Sequence, residues 1–257
     1  MKQVSTEKIR QAIRQRIASG AWPPGCAVSE AELTREFGVS RTPVREALIQ
    51  LSVQGFLHIV PRSGIFVSKL SVKQLLAMLE TLAHLEGLCA SLVAARIDAA
   101  GLRRVQTSHA DAGRAVEADD AKRYAACNQE FHALLYQSCR NEFLVDQINL
   151  IRSRTAAYRL KRFDTPGGLR RSWDGHGALI AAVVAGDRRA AHDAAIEHIE
   201  MGGREFAEMV RQLPEDIFAD NSRAPAAKPP TDPMWPAVRT ARVVSQGVEM
   251  PVPRSKH

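Results

Sequence analysis

The chain has 257 residues, a formal net charge of +7 and four cysteines, which is length enough to bury one large core or two modest ones. Cys26, Cys89, Cys127 and Cys139 show no Cys-x-x-Cys spacing, so they leave no dense disulfide framework and suit a reducing cytoplasm as structural filler. The N-terminus is charged and amphipathic rather than an apolar leader, and no apolar run approaches the ~20 residues of a membrane span, so a cytoplasmic protein without a membrane partner is expected. The charge is uneven: residues 1–70 carry ten Lys and Arg against five Asp and Glu, residues 71–213 nineteen against eighteen. A basic N-terminal part points to nucleic acid.

In chain order, Ser5 caps a predicted helix over 6–19, with Ile9, Ile13 and Ile17 at i, i+4 and i+8 as its packing face. Ala21-Trp-Pro-Pro-Gly25 ends it. Ser29 is the next N-cap, with Glu32 as its capping-box partner, and Leu33 and Phe37 form one apolar stripe up to Gly38. Ser40 starts a second helix in which Val44, Ala47, Leu48 and Leu51 are the buried face. Arg41, Thr42 and Arg45 therefore point outward near its N-terminus, where a recognition helix carries its base-reading side chains. Phe56-Leu-His-Ile-Val60, Pro61-Arg-Ser-Gly64 and Ile65-Phe-Val-Ser-Lys69 then read as a hairpin with a basic tip, the wing of a winged helix. Arg62, Ser63 and Gly64 at the tip are placed to follow a phosphate backbone or enter a minor groove.

From Val72 to Gln212 the pattern is helical throughout. Six amphipathic segments, over 72–97, 99–117, 119–139, 141–163, 167–185 and 187–212, predict an all-α bundle. Beyond Leu213 the prolines multiply and the apolar period is lost, which predicts a disordered tail over 213–257. The fold class expected is mainly α: a winged helix-turn-helix of three helices and a hairpin wing over 1–70, then a six-helix bundle over 71–212.

Trp22-Pro-Pro-Gly25, Ser29-Glu30, Gly38-Val-Ser-Arg-Thr-Pro-Val-Arg-Glu-Ala-Leu48 and the wing Pro61-Arg-Ser-Gly64 resemble the DNA-binding domain of the GntR family of bacterial transcription regulators. Leu85-Glu-Gly-Leu-Cys-Ala-Ser-Leu-Val-Ala-Ala-Arg96, Asn128-Gln-Glu-Phe-His132, Ser172-Trp-Asp-Gly-His176 and His198-Ile resemble the FadR C-terminal (FCD) effector domain. The first resemblance implies that Ser40, Arg41, Thr42, Pro43, Arg45, Arg62, Ser63 and Gly64 meet double-stranded DNA.

Asn128 and His132 share a helix face with Leu135 and Cys139; His176 lies in line with Leu179, Ile180 and Val183; His198 follows Ala191, Ala194 and Ala195. Three imidazoles on three helices can converge with the Asn128 amide oxygen on one cation, and such a set favours Zn, Ni or a similar ion. Taken singly, each histidine reads more readily as an interior residue satisfied by a hydrogen bond. The FCD resemblance implies an Asp or Asn four residues before the first His and two later His, and all four positions are kept here. The neutral Asn128 amide is a weaker ligand than a carboxylate.

A metal with open positions can hold the carboxylate of a small acid, with Arg152, Arg154, Tyr158 and Arg159 as candidate effector contacts. Residues 152 and 159 share one helix face and 154 and 158 another, so one pair but not both is expected to line a cavity. The leading expectation is a homodimeric regulator, a repressor rather than an activator, that binds a palindromic operator and answers to a small carboxylate. A metal-dependent hydrolase is the rival class. Glu130 and Glu197 lie about 200° and about 100° round their helices from the neighbouring histidines, which leaves no placed general base. A regulator that senses the metal itself is the third reading.

Overall fold

The computed structural model of the protein describes residues 5–159, 163, 166–199 and 218. Helix α1 (Thr6–Ala18) buries Ile9, Ile13 and Ile17 and is capped by Ser5, whose side chain accepts from the Lys8 N–H. Helix α2 (Glu30–Phe37) begins where the Ser29 side chain accepts from the Glu32 N–H at 3.2 Å, the first arm of the expected capping box. It stops at Gly38, whose φ of 62° is left-handed and costs glycine no Cβ clash. Helix α3 (Arg41–Val53) buries Val44, Ala47, Leu48 and Leu51. Ser40 occupies its N-cap position with extended backbone, but its hydroxyl makes no capping hydrogen bond, which corrects its expected role as a side-chain cap.

Strands β2 (Leu57–Val60) and β3 (Gly64–Val67) pair antiparallel around the wing tip, in the register Leu57 to Val67 and Val60 to Gly64. A third strand not expected from sequence, β1 (Ala27–Val28), pairs with the other edge of β3. Two residues carry too little alternation to be seen as a strand. These elements enclose one core, built on the three isoleucines of α1, Leu33, Leu48, Leu51, Phe56 and Val67.

Ser71 and Gln74 form a complete capping box at the start of α4 (Val72–Arg96). Helices α5 (Ala99–Glu117), α6 (Ala121–Cys139), α7 (Glu142–Thr155), α8 (Gly168–Val184) and α9 (residues 188–199) follow. Their shared core draws on Leu82, Val93, Val105, Phe131, Ile148 and Leu179, all buried. By length and composition α4 is apolar enough to cross a membrane, which corrects the expectation that no run approaches such a span. Its apolarity has a local cause, since Leu82, Cys89 and Val93 face the bundle interior with Glu86 buried beside them, and Leu75 packs with Leu70 and Tyr158.

The expected helix over 141–163 ends sooner. After Thr155 the chain tightens into a 3₁₀ turn (Ala156–Arg159). Thr155 Oγ1 donates to the Ile151 carbonyl (2.9 Å) and the Arg159 guanidinium to that of Arg152 (3.3 Å), so side chains satisfy the carbonyls of the last turns. The expected helix over 187–212 is described only as far as residue 199, and the expected tail over 213–257 lies outside the described residues except for Phe218.

Helix α7 joins the two cores. Leu150 packs against the N-terminal core, Arg14 donates to Ser153 Oγ (3.0 Å), and the Tyr158 hydroxyl accepts from the Leu70 N–H (2.7 Å).

Candidate functional site

Two assemblies of polar side chains stand out, one on the winged helix and one in the bundle. On the winged helix, Ser40, Arg41, Thr42 and Arg45 are exposed along the N-terminal part of α3. Pro43 lies in its first turn, where its missing N–H breaks no intrahelical bond. The Arg45 guanidinium reaches across to Glu30 at 3.3 and 3.4 Å, so it is held over the gap between α2 and α3. Arg62, Ser63 and Gly64 are exposed at the hairpin tip. Arg62 is itself left-handed (φ 65°), and the Ser63 N–H donates to the Val60 carbonyl at 3.0 Å, which fixes the tip.

In the bundle, His132 on α6, His176 on α8 and His198 on α9 bring one ring nitrogen each to within 4.8 Å of the other two. His132 and His176 are buried and His198 is half-buried. The facing residues Leu135, Cys139, Leu179, Ile180, Val183, Ala191 and Ala195 are buried with them. A metal ion would fit this set on two further observations. The buried Asn128 Oδ1 makes no hydrogen bond, an expensive state for an interior acceptor unless a cation or water meets it. A Cβ on Gly175 would lie 2.7 Å from His198 Nδ1, so the absent side chain is what lets α9 bring its imidazole up to α8.

Asn128 and His132 also line a cavity of about 410 Å³, whose wall includes Tyr136, Arg152, Ser153 and Arg159. Arg154 and Tyr158 face the other way. Arg154 covers Gly55, where a Cβ would meet its guanidinium at 2.9 Å, and both line the seam with Phe56, Val67 and Leu70 of the winged helix. The four candidate effector contacts therefore separate into the pairs that helical spacing implies. For Arg154 and Tyr158, placement at a cavity is corrected to placement at the domain joint.

Sequence reasoning missed Glu86. Its carboxylate lies between Arg152 Nη1 (2.5 Å), the Tyr136 hydroxyl (3.0 Å), which donates to it, and His132 Nδ1 (3.4 Å). Burial alone would push this carboxyl up; Arg152 and His132 outweigh burial and hold it well below the usual carboxylate range. The Tyr136 hydroxyl is pushed well above its usual value by burial, against the opposing Arg152 charge. One signal for Glu86 was present: Leu75, Leu79, Leu82, Glu86, Cys89 and Val93 form one stripe at spacings of three and four, so the carboxylate occupies a core position. Outside this set, His109 stacks on Trp173 (4.8 Å, 8°) and burial lowers its pKa, while His192 pairs with Asp193 (2.9 Å), in keeping with structural roles.

Residues 5–67 match the model of the bacterial regulatory proteins of the gntR family, and residues 77–201 match the FCD domain. An HTH-type transcriptional regulator from the TAR-I ttuE-ttuC' intergenic region of Agrobacterium vitis is 37% identical over 128 residues, which span 48% of this chain and 74% of that protein. The transcriptional repressor RspR of Escherichia coli K12 is 26% identical over 210 residues, 82% of this chain and 90% of its own. The Nta operon transcriptional regulator of Aminobacter aminovorans is 29% identical over 207 residues, 79% and 94% of the two chains. In fold, the chain is similar to E. coli McbR/YncC, with a TM-score of 0.70 at 22% identity over 80% of this chain and 99% of that one. A shared winged helix with all the expected recognition positions but the half-buried Pro43 exposed, an effector domain of the matching kind, and relatives named as transcription regulators rather than enzymes agree: the chain belongs to the GntR family of bacterial transcription regulators, among those with an FCD domain.

Proposed function

We propose that residues 1–70 bind an operator as half of a homodimer, and that residues 71–212 hold a divalent metal, Zn or Ni, together with a small carboxylic acid. The observation that carries this reading is the meeting of His132, His176 and His198 behind a cavity whose other wall is α7. Asn128 and the three histidines would hold the ion, which when bound supplies a Lewis-acidic position for a carboxylate oxygen. The chain's own groups orient the acid. Arg152 and Arg159 face the cavity with charge-assisted donors, and Ser153 offers a hydroxyl.

Coupling to DNA follows from the position of α7 and its 3₁₀ turn. One side presents Arg152 and Arg159 to the cavity, and the other presents Arg154 and Tyr158 to the winged helix. An acid that draws on the first pair biases the second, and its effect on operator affinity equals the operator's effect on acid affinity. Association of two protomers is supported by an outer stripe on α4 that holds no Lys, Arg, Asp or Glu, formed by Ala77, Thr81, His84, Leu88, Ser91 and Ala95. Two copies imply a two-fold operator with half-sites in successive major grooves, read by Arg41, Thr42 and Arg45. Ser40, Arg62, Ser63 and Gly64 are placed for phosphate and minor-groove contacts. RspR is named a repressor and the regulator of a D-xylose utilization operon a probable one, which supports repression, in the cytoplasm, for this chain too.

Native mass spectrometry of protein purified from its source cells tests this directly. The expected species is a dimer with one metal ion per protomer and a retained acid. A metal-free monomer would overturn the reading.

A further inference from the structure

We propose that Glu86 is the positioning residue of the histidine cluster: its carboxylate fixes the His132 ring through Nδ1, leaves Nε2 to face His176 and His198, and ties the cluster to Arg152 on the cavity wall. This rests on the reading of the cluster as a metal centre. Glu86 comes from α4, whereas the histidines come from α6, α8 and α9, so no cluster residue shares its helix. It is 6% exposed, and its Oε2 lies 3.4 Å from His132 Nδ1, an ion-pair distance just longer than a well-formed hydrogen bond, from which a small closing movement would let it set the ring's orientation and tautomer. Its other oxygen is clamped by Arg152 and Tyr136, which also bond each other at 2.9 Å. A carboxylate clamped at that oxygen is kept beside the ring.

The chemistry of the cluster gives this carboxylate a further purpose. Three imidazoles and the Asn128 amide are all neutral donors, so the set offers a dication no charge of its own. An anion hydrogen-bonded to a ligating imidazole raises that ligand's basicity, and loss of such a partner typically weakens metal affinity by about 10–100-fold. Glu86 thus supplies from behind His132 part of what Asn128 does not supply in front. Because the same carboxylate grips Arg152, metal loading and the orientation of a cavity arginine share one group.

Two variants separate positioning from simple charge balance. Glu86→Gln keeps the shape but removes the charge and leaves Arg152 buried without its anion, so the full-length variant is expected to lose thermal stability. It should also bind Co2+ or Zn2+ about 10–100-fold more weakly in chelator competition, with an altered Co2+ absorption spectrum. Glu86→Gln combined with Arg152→Gln removes both charges. It is expected to regain stability while metal affinity and spectrum stay impaired. If metal affinity returns with stability in the double variant, Glu86 is only the counter-ion of Arg152 and the proposal is overturned. If wild-type protein takes up no metal, it is the metal-centre reading itself that fails.

Discussion

Gly175 shows how one missing atom sets the reach of the cluster. A methyl group there would stand 2.7 Å from His198 Nδ1, well inside van der Waals contact, so Gly175→Ala must push α9 or its imidazole away. The expected result is a loss of metal affinity of about tenfold or more, as for other disturbed ligand orientations, with operator binding by the metal-free protein unchanged. Wild-type metal affinity in a chelator competition would rule out this role. On the winged helix, Arg45 is already drawn forward by Glu30 at 3.3 Å, a surface pair worth little to stability but placed to present the guanidinium. Arg45→Ala is expected to cost about 1–3 kcal/mol of operator affinity and relax preference at one base position. Fluorescence anisotropy against a set of single-base operator variants measures both. Equal affinity with an unchanged preference profile would remove Arg45 from base reading.

At the scale of elements, α7 and its 3₁₀ turn are the link, because their two sides serve different halves of the chain. Tyr158→Phe removes the acceptor of the buried Leu70 N–H, and an interior donor left unsatisfied costs about 1–3 kcal/mol. Urea unfolding should show that loss, and the response of operator affinity to acid should fall with it; a full response would place the coupling elsewhere. Much at this scale was legible in the sequence. Ser5 and Ser29 announce helix starts chemically, Gly38 announces a stop, and the isoleucine triplet of α1 shows its buried face. What stayed hidden had physical causes. β1 is a two-residue strand whose pairing with β3 depends on the distant wing. The end of α7 is set by side chains bonding back to its carbonyls rather than by a breaker. Glu86 reads as one more charge until α6 and α7 bring His132, Tyr136 and Arg152 around it. Helical spacing did separate Arg152 and Arg159 from Arg154 and Tyr158, but which pair met the cavity depended on how α7 packs.

At the scale of the whole molecule, a two-fold operator requires two copies of the chain. Leu88 is 45% exposed at the middle of the outer stripe on α4, and a charge placed there would be buried without a partner in the proposed dimer. Leu88→Glu is expected to yield a monomer in analytical ultracentrifugation and to weaken binding to a two-half-site operator far more than to a single half-site. A variant that stays dimeric would move the interface to another face. The central claim is that occupancy of the histidine cluster and its cavity governs DNA binding. Its most direct test is the operator affinity of metal-loaded protein with and without the acid retained in native mass spectrometry, beside His176→Ala. A shift of about 5–150-fold, the usual span of allosteric coupling, is expected and should disappear in His176→Ala; an operator affinity indifferent to both acid and metal would rule out control through the histidine cluster.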